Sequence, residues 1–285
     1  MFVLIGLVVV MGAVIAGYAM HGGNIGVLMQ INEFVILGGA GAGSFVAANG
    51  VGNVSKSIKA VLTLLKPDPY SPNAYMDLLK MMYTLFNVAR KEGLLGLEQH
   101  IENPDQSTII RNFPSFLSNA HAICFFCDTM KVILTGAVGP HDLSEMMEID
   151  LDLAHEEAML PAEALQTVGD AMPGFGIVAA VLGVIITMGE IGGDPAAIGK
   201  SVAAALVGTF LGILLAYGVF SPLSRAITLR LRSESQYLNC ARYALFSFAR
   251  GESPMTCVEF ARRNIEPSNR PGFAEMEKAV KEKAA

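Results

Sequence analysis

The most unusual combination of residue types lies at the start of an apolar stretch, residues 170–190, with the sequence DAMPGFGIVAAVLGVIITMGE. A carboxylate, Asp170, is followed by Pro173 and two glycines. If a helix begins before Asp170, Pro173 is interior and frees the carbonyl oxygen of residue 169, which could hold water or form a hinge. If the helix begins at Pro173, the proline is only an entry cap, because a first-turn N–H has no intrahelical partner.

Small residues share one helical face in this stretch, and the same design recurs in residues 198–220. The residues spaced by three and four are Pro173, Gly176, Ala180, Gly183 and Thr187 in the first stretch, and Ala205, Gly208, Thr209, Gly212 and Ala216 in the second. Helix interfaces in membranes favour small residues, so close packing explains most of the glycines. It does not explain Thr209, near the middle of its stretch, or Pro173 beside Asp170. Pro222 mirrors Pro173, which suggests bending at one membrane surface.

Ionisable residues decide whether such a chain could carry protons alone, because a proton carrier needs a titratable group deep in the bilayer. The acidic residues near the apolar stretches are Glu33, Asp170 and Glu190, and none is placed clearly at the middle. Glu33 has either a functional role or a hydrogen-bonded structural one. If the chain conducts ions, we therefore expect the titrating carboxylate to come from another chain.

The composition is that of a membrane protein: 52% of the 285 residues are hydrophobic, 16% are charged, and the mean hydropathy is +0.46. A spanning helix needs about 20 mostly apolar residues. The stretches that qualify are 2–20, 27–49, 172–190 and 198–220. Membrane lipid is thus an expected partner, and a net charge of −6 argues against nucleic acid.

The distribution of Lys and Arg predicts the orientation, because basic residues accumulate on the cytoplasmic side. Residues 1–50 contain none, whereas Lys56 and Arg225 begin basic segments after the second and fourth stretches. Both termini are therefore expected in the cytoplasm. The predicted fold is an all-α integral membrane protein with four transmembrane helices and a large helical cytoplasmic domain. Its predicted parts are residues 1–50 with two spans and a short periplasmic turn, 51–170 as the cytoplasmic helical domain, 171–222 with two more spans and a second short periplasmic turn, and 223–285 as a cytoplasmic tail.

Enzyme and cofactor motifs find little support in the sequence. The pair Cys124 and Cys127 has redox or half-zinc spacing, but it lies in an apolar helical pattern without a second pair, which favours buried free thiols. The GGAGAGSF segment at 38–45 lacks a preceding strand, which excludes a dinucleotide loop. The histidines are scattered. We therefore expect a protein that is not an enzyme and holds no cofactor or metal.

Several segments resemble the MotA family, the larger stator subunits of the bacterial flagellar motor. The most specific are ALVGTFLGILLAYGVFSP at 205–222 and VGDAMPGFGIVAAVLGV at 168–184, and NEFVILGGAGAGSF and VEFARRNIEPSNRPGFAEME also match. The resemblance implies a pentamer around a MotB dimer in the bacterial inner membrane. It also implies that MotB supplies the proton-accepting aspartate, and that proton flow drives torque on the rotor protein FliG.

The resemblance also implies roles for individual residues. Pro173 and Pro222 match the family's two functional prolines, which link protonation of MotB to a cytoplasmic conformational change, and Asp170 matches an acidic position at the inner end of the pathway. Arg90 and Glu98 match the charged pair that engages FliG. From the residues alone, that pair reads as a solvated helix face. Asp150 is a weaker expectation for the same surface.

The identity of the ion depends on two positions. Sodium-driven relatives tend to carry a hydroxyl where Ala180 stands, and Thr209 alone offers few oxygens for a dehydrated Na⁺. The expected ion is therefore H⁺. A sodium-driven stator of the same architecture and an ExbB/TolQ-like energy-transducing inner-membrane subunit, which usually has three spans, remain as alternatives. A solute transporter would require inverted repeats that the segment lengths do not show.

Overall fold

The computed structural model describes residues 2–189, 192 and 194–282, so Glu190 and the last three residues of the predicted tail lie outside the described residues. Within these ranges the secondary structure is entirely helical. The helices are α1 (Phe2–Met20), α2 (Ile25–Leu28), α3 (Ile31–Thr63), α4 (Pro72–Glu92), α5 (Leu95–Glu102), α6 (Pro114–Leu117), α7 (Ala120–Thr135), α8 (Pro140–Gly189), α9 (Pro195–Leu215), α10 (Ser221–Ala249), α11 (Pro254–Asn264) and α12 (Phe273–Glu282). Two 3₁₀ turns (Pro104–Gln106 and Ile110–Asn112) precede α6, and a π turn (Ala216–Phe220) joins α9 to α10. The predicted all-α class is confirmed.

The chain divides into two compact units. The first, called here the membrane unit, comprises Met1–Pro67 and Ala158–Leu229, and the second, the extramembrane unit, comprises Asp68–Glu157 and Arg230–Ala285. Helices α8 and α10 contribute residues to both units. The predicted domain boundaries at 50, 170 and 222 concern membrane crossing and stay a prediction.

In the part of the chain that the structure describes, four helical segments are long and apolar enough to cross a membrane. They lie at Val3–Met20, Ile25–Thr63, Pro140–Gly189 and Pro195–Ala249. Many of their large apolar side chains are exposed, including Val8 at 71%, Val35 at 67% and Ile186 at 66%. Apolar surface of this extent needs lipid or a partner to cover it. Four such segments also differ from the three spans of the ExbB/TolQ-like alternative.

Helix α3 contains a sharp interruption at Gly50. Its φ of 67° and ψ of 164° lie outside the helical region and separate two helical segments that are otherwise continuous. A positive φ is accessible to glycine without the steric cost that a Cβ imposes. The first segment of α3 therefore ends where the sequence places the end of the second span.

Polar caps followed by proline begin three of the helices. The cap side chain accepts a hydrogen bond from a first-turn N–H, and the proline occupies a position whose N–H would be unpaired anyway. The pairs are Ser71–Pro72 for α4, Asp194–Pro195 for α9 and Ser253–Pro254 for α11.

The core of the extramembrane unit lies among α4, α5, α7, α10, α11 and α12. Phe86 stacks on Phe248 with ring centroids 4.4 Å apart, and Phe116 meets Phe126 edge to face at 5.8 Å. All of these rings except Phe248 are completely buried. Such a core holds the exposed ends of α4 and α5 in a fixed position.

Candidate functional site beside two prolines

Pro173 is an interior residue of α8, which runs without a break from Pro140 to Gly189. The entry-cap interpretation is therefore wrong, and the hinge interpretation has the geometry it requires. Because proline has no N–H, the carbonyl oxygen of Gly169 receives no hydrogen bond from four residues further along the helix. A second interior proline, Pro161, was not singled out from the sequence, although it has the same effect on its own turn.

Pro222 follows an irregular turn. The π turn Ala216–Phe220 ends where the backbone N–H of Ser221 donates to the carbonyl oxygen of Ala216, five residues earlier. An α-helical arrangement here would press the ring of Pro222 against the carbonyl of Gly218. The wider π turn relieves this crowding and interrupts the regular hydrogen-bond pattern.

The turn that precedes Pro173 and the π turn pack against each other within the membrane unit. A Cβ built on Gly169 would lie 2.9 Å from the Cβ of Phe220 and 3.7 Å from the carbonyl oxygen of Ala216. Only a glycine leaves room for so close an approach. The helix turn weakened by Pro173 is thus in direct contact with the turn widened before Pro222.

Small residues bring α8 and α9 together beyond these turns. A Cβ built on Gly176 would lie 2.8 Å from the carbonyl oxygen of Gly208, and one built on Gly212 would lie 2.6 Å from that of Met172. A Cβ on Gly183 would lie 2.5 Å from the Cβ of Ala205. The two small-residue faces therefore form one helix–helix interface, as membrane packing favours.

The other predicted pathway residues differ in how they relate to this interface. The Thr209 hydroxyl donates to the carbonyl oxygen of Gly176 at 3.3 Å, so it links α9 to α8. Ala180 is half-buried on the same face of α8. Asp170 is exposed and accepts a hydrogen bond from the Gln166 side chain at 2.8 Å, and no described contact joins it to Thr209.

Glu33 lies in this unit with its side chain buried, at 6% exposure, against Gly208. The sequence permits this carboxylate to be either buried or at the membrane interface, and in the structure it is buried. Its neighbour Gly208 is distant in the sequence, so no local pattern could have identified this contact.

The predicted rotor residues lie in the extramembrane unit. Arg90 is exposed in the last turn of α4, and Glu98 is exposed in the first turn of α5. Each charge suits its helix end, since cations stabilise a helix C-terminus and anions an N-terminus. Arg90 lines a cavity of about 540 Å³ and Glu98 a neighbouring one of about 350 Å³, and Leu94 lines both.

An exposed apolar pair separates these two charges. Leu94 is 42% exposed and Leu95 is 81% exposed. They follow Gly93, whose φ of 80° ends α4 and turns the chain into α5. Arg90 and Glu98 line different cavities that share Leu94, and Asp150 lines neither of the two.

The cysteine prediction is wrong for Cys124. Cys127 is a buried free thiol, and burial raises its pKa to about 11. Cys124 is exposed and donates to Asp128 at 3.2 Å. The buried face of α7 contains Ala122 and Phe126, and Cys124 lies on the opposite side of the helix.

Comparisons with known proteins match nearly the whole chain. A family model described as motility protein A N-terminal matches residues 4–93, and one described as the MotA/TolQ/ExbB proton channel family matches residues 121–239. The chain is 38% identical to the motility protein A of Salmonella typhimurium and of Escherichia coli, over 99% of this chain and 95% of each relative. It is 34% identical to the chemotaxis protein LafT of Vibrio parahaemolyticus, over 98% of both chains.

Two solved structures share the fold. The MotAB structure from C. jejuni has a TM-score of 0.76 at 20% identity, covering 93% of this chain and 95% of that chain. The flagellar MotAB stator complex from Bacillus subtilis has a TM-score of 0.73 at 20% identity, covering 90% of this chain and 92% of that chain.

Proposed function

Because the chain belongs to the MotA/TolQ/ExbB proton channel family as a relative of motility protein A, and is a stator subunit of the bacterial flagellar motor, we propose that proton flow drives torque by moving the contact between Gly169 and Phe220. This contact is the single observation that carries the proposal. It joins the helix turn weakened by Pro173 to the π turn before Pro222.

Both turns lack regular backbone hydrogen bonds, so they can rearrange at a lower cost than intact helix. One charge crossing 100 mV releases about 2.3 kcal/mol, which is sufficient to bias a conformational step that costs a similar free energy. Protonation on the partner subunit would shift the two turns relative to each other. The change would then pass along α8 and α10, which both continue into the extramembrane unit.

The partner in this proposal is a MotB subunit, which supplies the titrating aspartate. The known relatives of this fold include MotAB complexes. We propose the same assembly here, with five copies of this chain around two copies of MotB. The exposed apolar faces of α1 and α8 offer the surface that lipid and neighbouring subunits would cover.

The proposed ion is H⁺. The side chain at Ala180 contributes no oxygen, and Thr209 adds a single hydroxyl oxygen. A dehydrated Na⁺ needs several oxygen ligands, whereas a proton can move along water to a carboxylate. No resident cofactor or metal has a part in this mechanism, and the protein works as an ion-driven motor component and not as an enzyme.

The proposed rotor surface consists of Arg90, Leu94, Leu95 and Glu98, and FliG is its proposed partner. An apolar centre with a charge on each side is the usual composition of a protein contact that must be specific. Asp150 is a further proposed contact outside this surface. The chain is a multi-pass membrane protein, and we propose an inner-membrane location with both termini in the cytoplasm, as the basic segments after the second and fourth spans favour.

The test is rotation of tethered cells that lack their own stator and express this chain with its cognate MotB. External pH and sodium are varied independently, and Pro173→Leu is compared with the wild type at equal membrane levels. Rotation that follows the proton gradient, ignores sodium and stops in Pro173→Leu supports the proposal. Rotation that follows sodium contradicts the choice of ion, and normal rotation of Pro173→Leu contradicts the coupling mechanism.

A further inference from the structure

Glu33 is a buried carboxylate that the mechanism above does not use. Its side chain is 6% exposed, and among the described residues its Oε2 atom has no hydrogen-bond partner. Charged side chains are rarely buried without a partner, and an ionisable residue inside a membrane segment usually has a function.

The carboxylate of Glu33 lies deeper in the membrane span than the position of this residue at the start of α3 suggests. It lies in the first turn of α3, but its Oε2 atom occupies the space where a side chain at Gly208 would begin. Gly208 lies thirteen residues after Pro195, the first residue of α9, which corresponds to about 20 Å along the helix. Compared with a hydrocarbon core about 30 Å thick, this level is well inside the span.

Three helices meet around the carboxylate. A Cβ built on Gly208 would lie 2.8 Å from the Cβ of Ala179, so α8 also borders this space. Thr209, the next residue of α9, donates to Gly176 of α8. Glu33 therefore lies beside the interface that contains the proposed pathway residues, although α3 does not belong to that interface.

A purely structural role fits these contacts poorly. A carboxylate in a first helical turn is stabilised when it accepts a hydrogen bond from a free N–H. The cap residue of α3, Gln30, makes no side-chain cap bond, and Oε2 of Glu33 accepts no bond from the backbone. An apolar side chain of similar size would fill the same space without the cost of desolvating a carboxylate.

We propose that Glu33 carries protons along the ion path of this chain, upstream of the carboxylate that the partner supplies. In this step the carboxylate takes a proton from a hydronium ion, which leaves as water, and becomes a neutral carboxylic acid. It then releases that proton to the next water on the path and becomes a carboxylate again, and no other bond changes. The inference rests on the proposed function, since it requires that protons cross the complex.

The test measures proton uptake into vesicles that contain the full chain with its MotB partner, using a pH-sensitive dye enclosed in the vesicles. Glu33→Gln keeps the size and polarity of the side chain but cannot titrate, and Glu33→Asp can titrate. Glu163→Gln removes an exposed carboxylate of the same unit and serves as the matched control. Co-purification of MotB with each variant reports assembly.

We expect Glu33→Gln to assemble normally and to lower proton uptake about a hundredfold, the scale of a lost proton-transfer group. Glu33→Asp should keep much of the uptake, and Glu163→Gln should equal the wild type. Undiminished uptake in Glu33→Gln overturns the inference, as does a failure of Glu33→Gln to assemble or an equal loss in Glu33→Gln and Glu33→Asp. If the wild-type complex takes up no protons, the proposed function itself fails.

Discussion

Gly169 lies directly against Phe220: a Cβ built on Gly169 would be 2.9 Å from the Cβ of Phe220, closer than side chains pack. Gly169 is the residue whose carbonyl loses its helical donor at Pro173, and Phe220 is the last residue of the π turn before Pro222. Two prolines that are 49 positions apart in the sequence thereby act on a single helix contact.

Replacing Gly169 by alanine should separate these two turns. The neighbouring atom is the Cβ of Phe220, which rotation about a side-chain bond cannot move, so we expect a loss of stability of about 1–3 kcal/mol and a strong loss of torque. Gly174→Ala, on the same helix, is the matched control, because a Cβ at that position meets nothing within 4 Å. Thermal unfolding of the purified complex and tethered-cell rotation measure the two effects. Equal behaviour of the two variants would show that the contact is not required.

The hydroxyl of Thr209 provides a second, independent test of the interface. Thr209→Val keeps the shape of the side chain and removes the hydrogen bond to Gly176, whereas Thr209→Ser keeps the hydroxyl and removes a methyl group. If the hydroxyl serves the pathway, proton-driven rotation should fall several-fold in Thr209→Val and remain near normal in Thr209→Ser. Lost stability would not explain such a fall, because isosteric loss of one hydrogen bond costs only about 1 kcal/mol. The opposite order would mean that the residue contributes packing alone.

Much of the architecture follows from local sequence, because a membrane span is defined by the length and composition of one segment. The helical class, the number of apolar stretches and the shared faces of small residues are all local properties of this kind. The interior position of Pro173 does not follow from the sequence around Asp170, which permits helix on either side. The structure places it inside the 50-residue helix α8.

The rest of the site could not be read from any one segment. The burial of Glu33 depends on where α3 begins relative to α9, which is set by packing between helices that are far apart in the sequence. The π turn could not be predicted, because several different local distortions could relieve the crowding at Pro222. The surface formed by Leu94 and Leu95 cannot be predicted from the sequence, because an exposed apolar pair has the same local pattern as a buried one.

The proposed rotor surface predicts that its apolar centre matters as much as its charges. Leu95→Ser should reduce torque markedly, because a large apolar side chain that is 81% exposed in the free subunit would be buried in the contact. Arg90→Glu should do the same by placing two like charges on one surface. Proton uptake into vesicles should stay normal in both variants, since neither residue belongs to the membrane unit.

Phe260→Ser is the control for this surface. Phe260 is 45% exposed on α11 and lines neither cavity beside Arg90 and Glu98. Normal rotation of Phe260→Ser together with impaired rotation of Leu95→Ser supports the proposed surface. If both rotate normally, the rotor contact lies elsewhere.

A hydrogen bond between His121 and Glu234 predicts a pH-dependent part of the stability of the extramembrane unit. The two side chains are 3.1 Å apart, and this hydrogen bond raises the pKa of His121 above its usual value. A raised pKa means that the stabilisation is complete below the unfolded value of about 6.5 and is lost as the pH rises through the folded pKa. The melting temperature of the wild type should therefore exceed that of Glu234→Gln more at about pH 5 than at about pH 9. A difference that does not change with pH would exclude this contribution.

The interruption of α3 at Gly50 predicts opposite effects for two neighbouring glycines. Gly50 has a φ of 67°, so Gly50→Ala forces a Cβ into the left-handed region or straightens the helix, and we expect a loss of about 1 kcal/mol in stability. Gly52 lies within the helix, and a Cβ there meets nothing within 4 Å. Gly52→Ala should therefore be neutral or stabilise the protein by up to about 1 kcal/mol, because alanine favours the helix over glycine. Thermal unfolding of the detergent-solubilised complex distinguishes the two signs. Stabilisation by Gly50→Ala would mean that α3 continues straight through this position in the assembled protein.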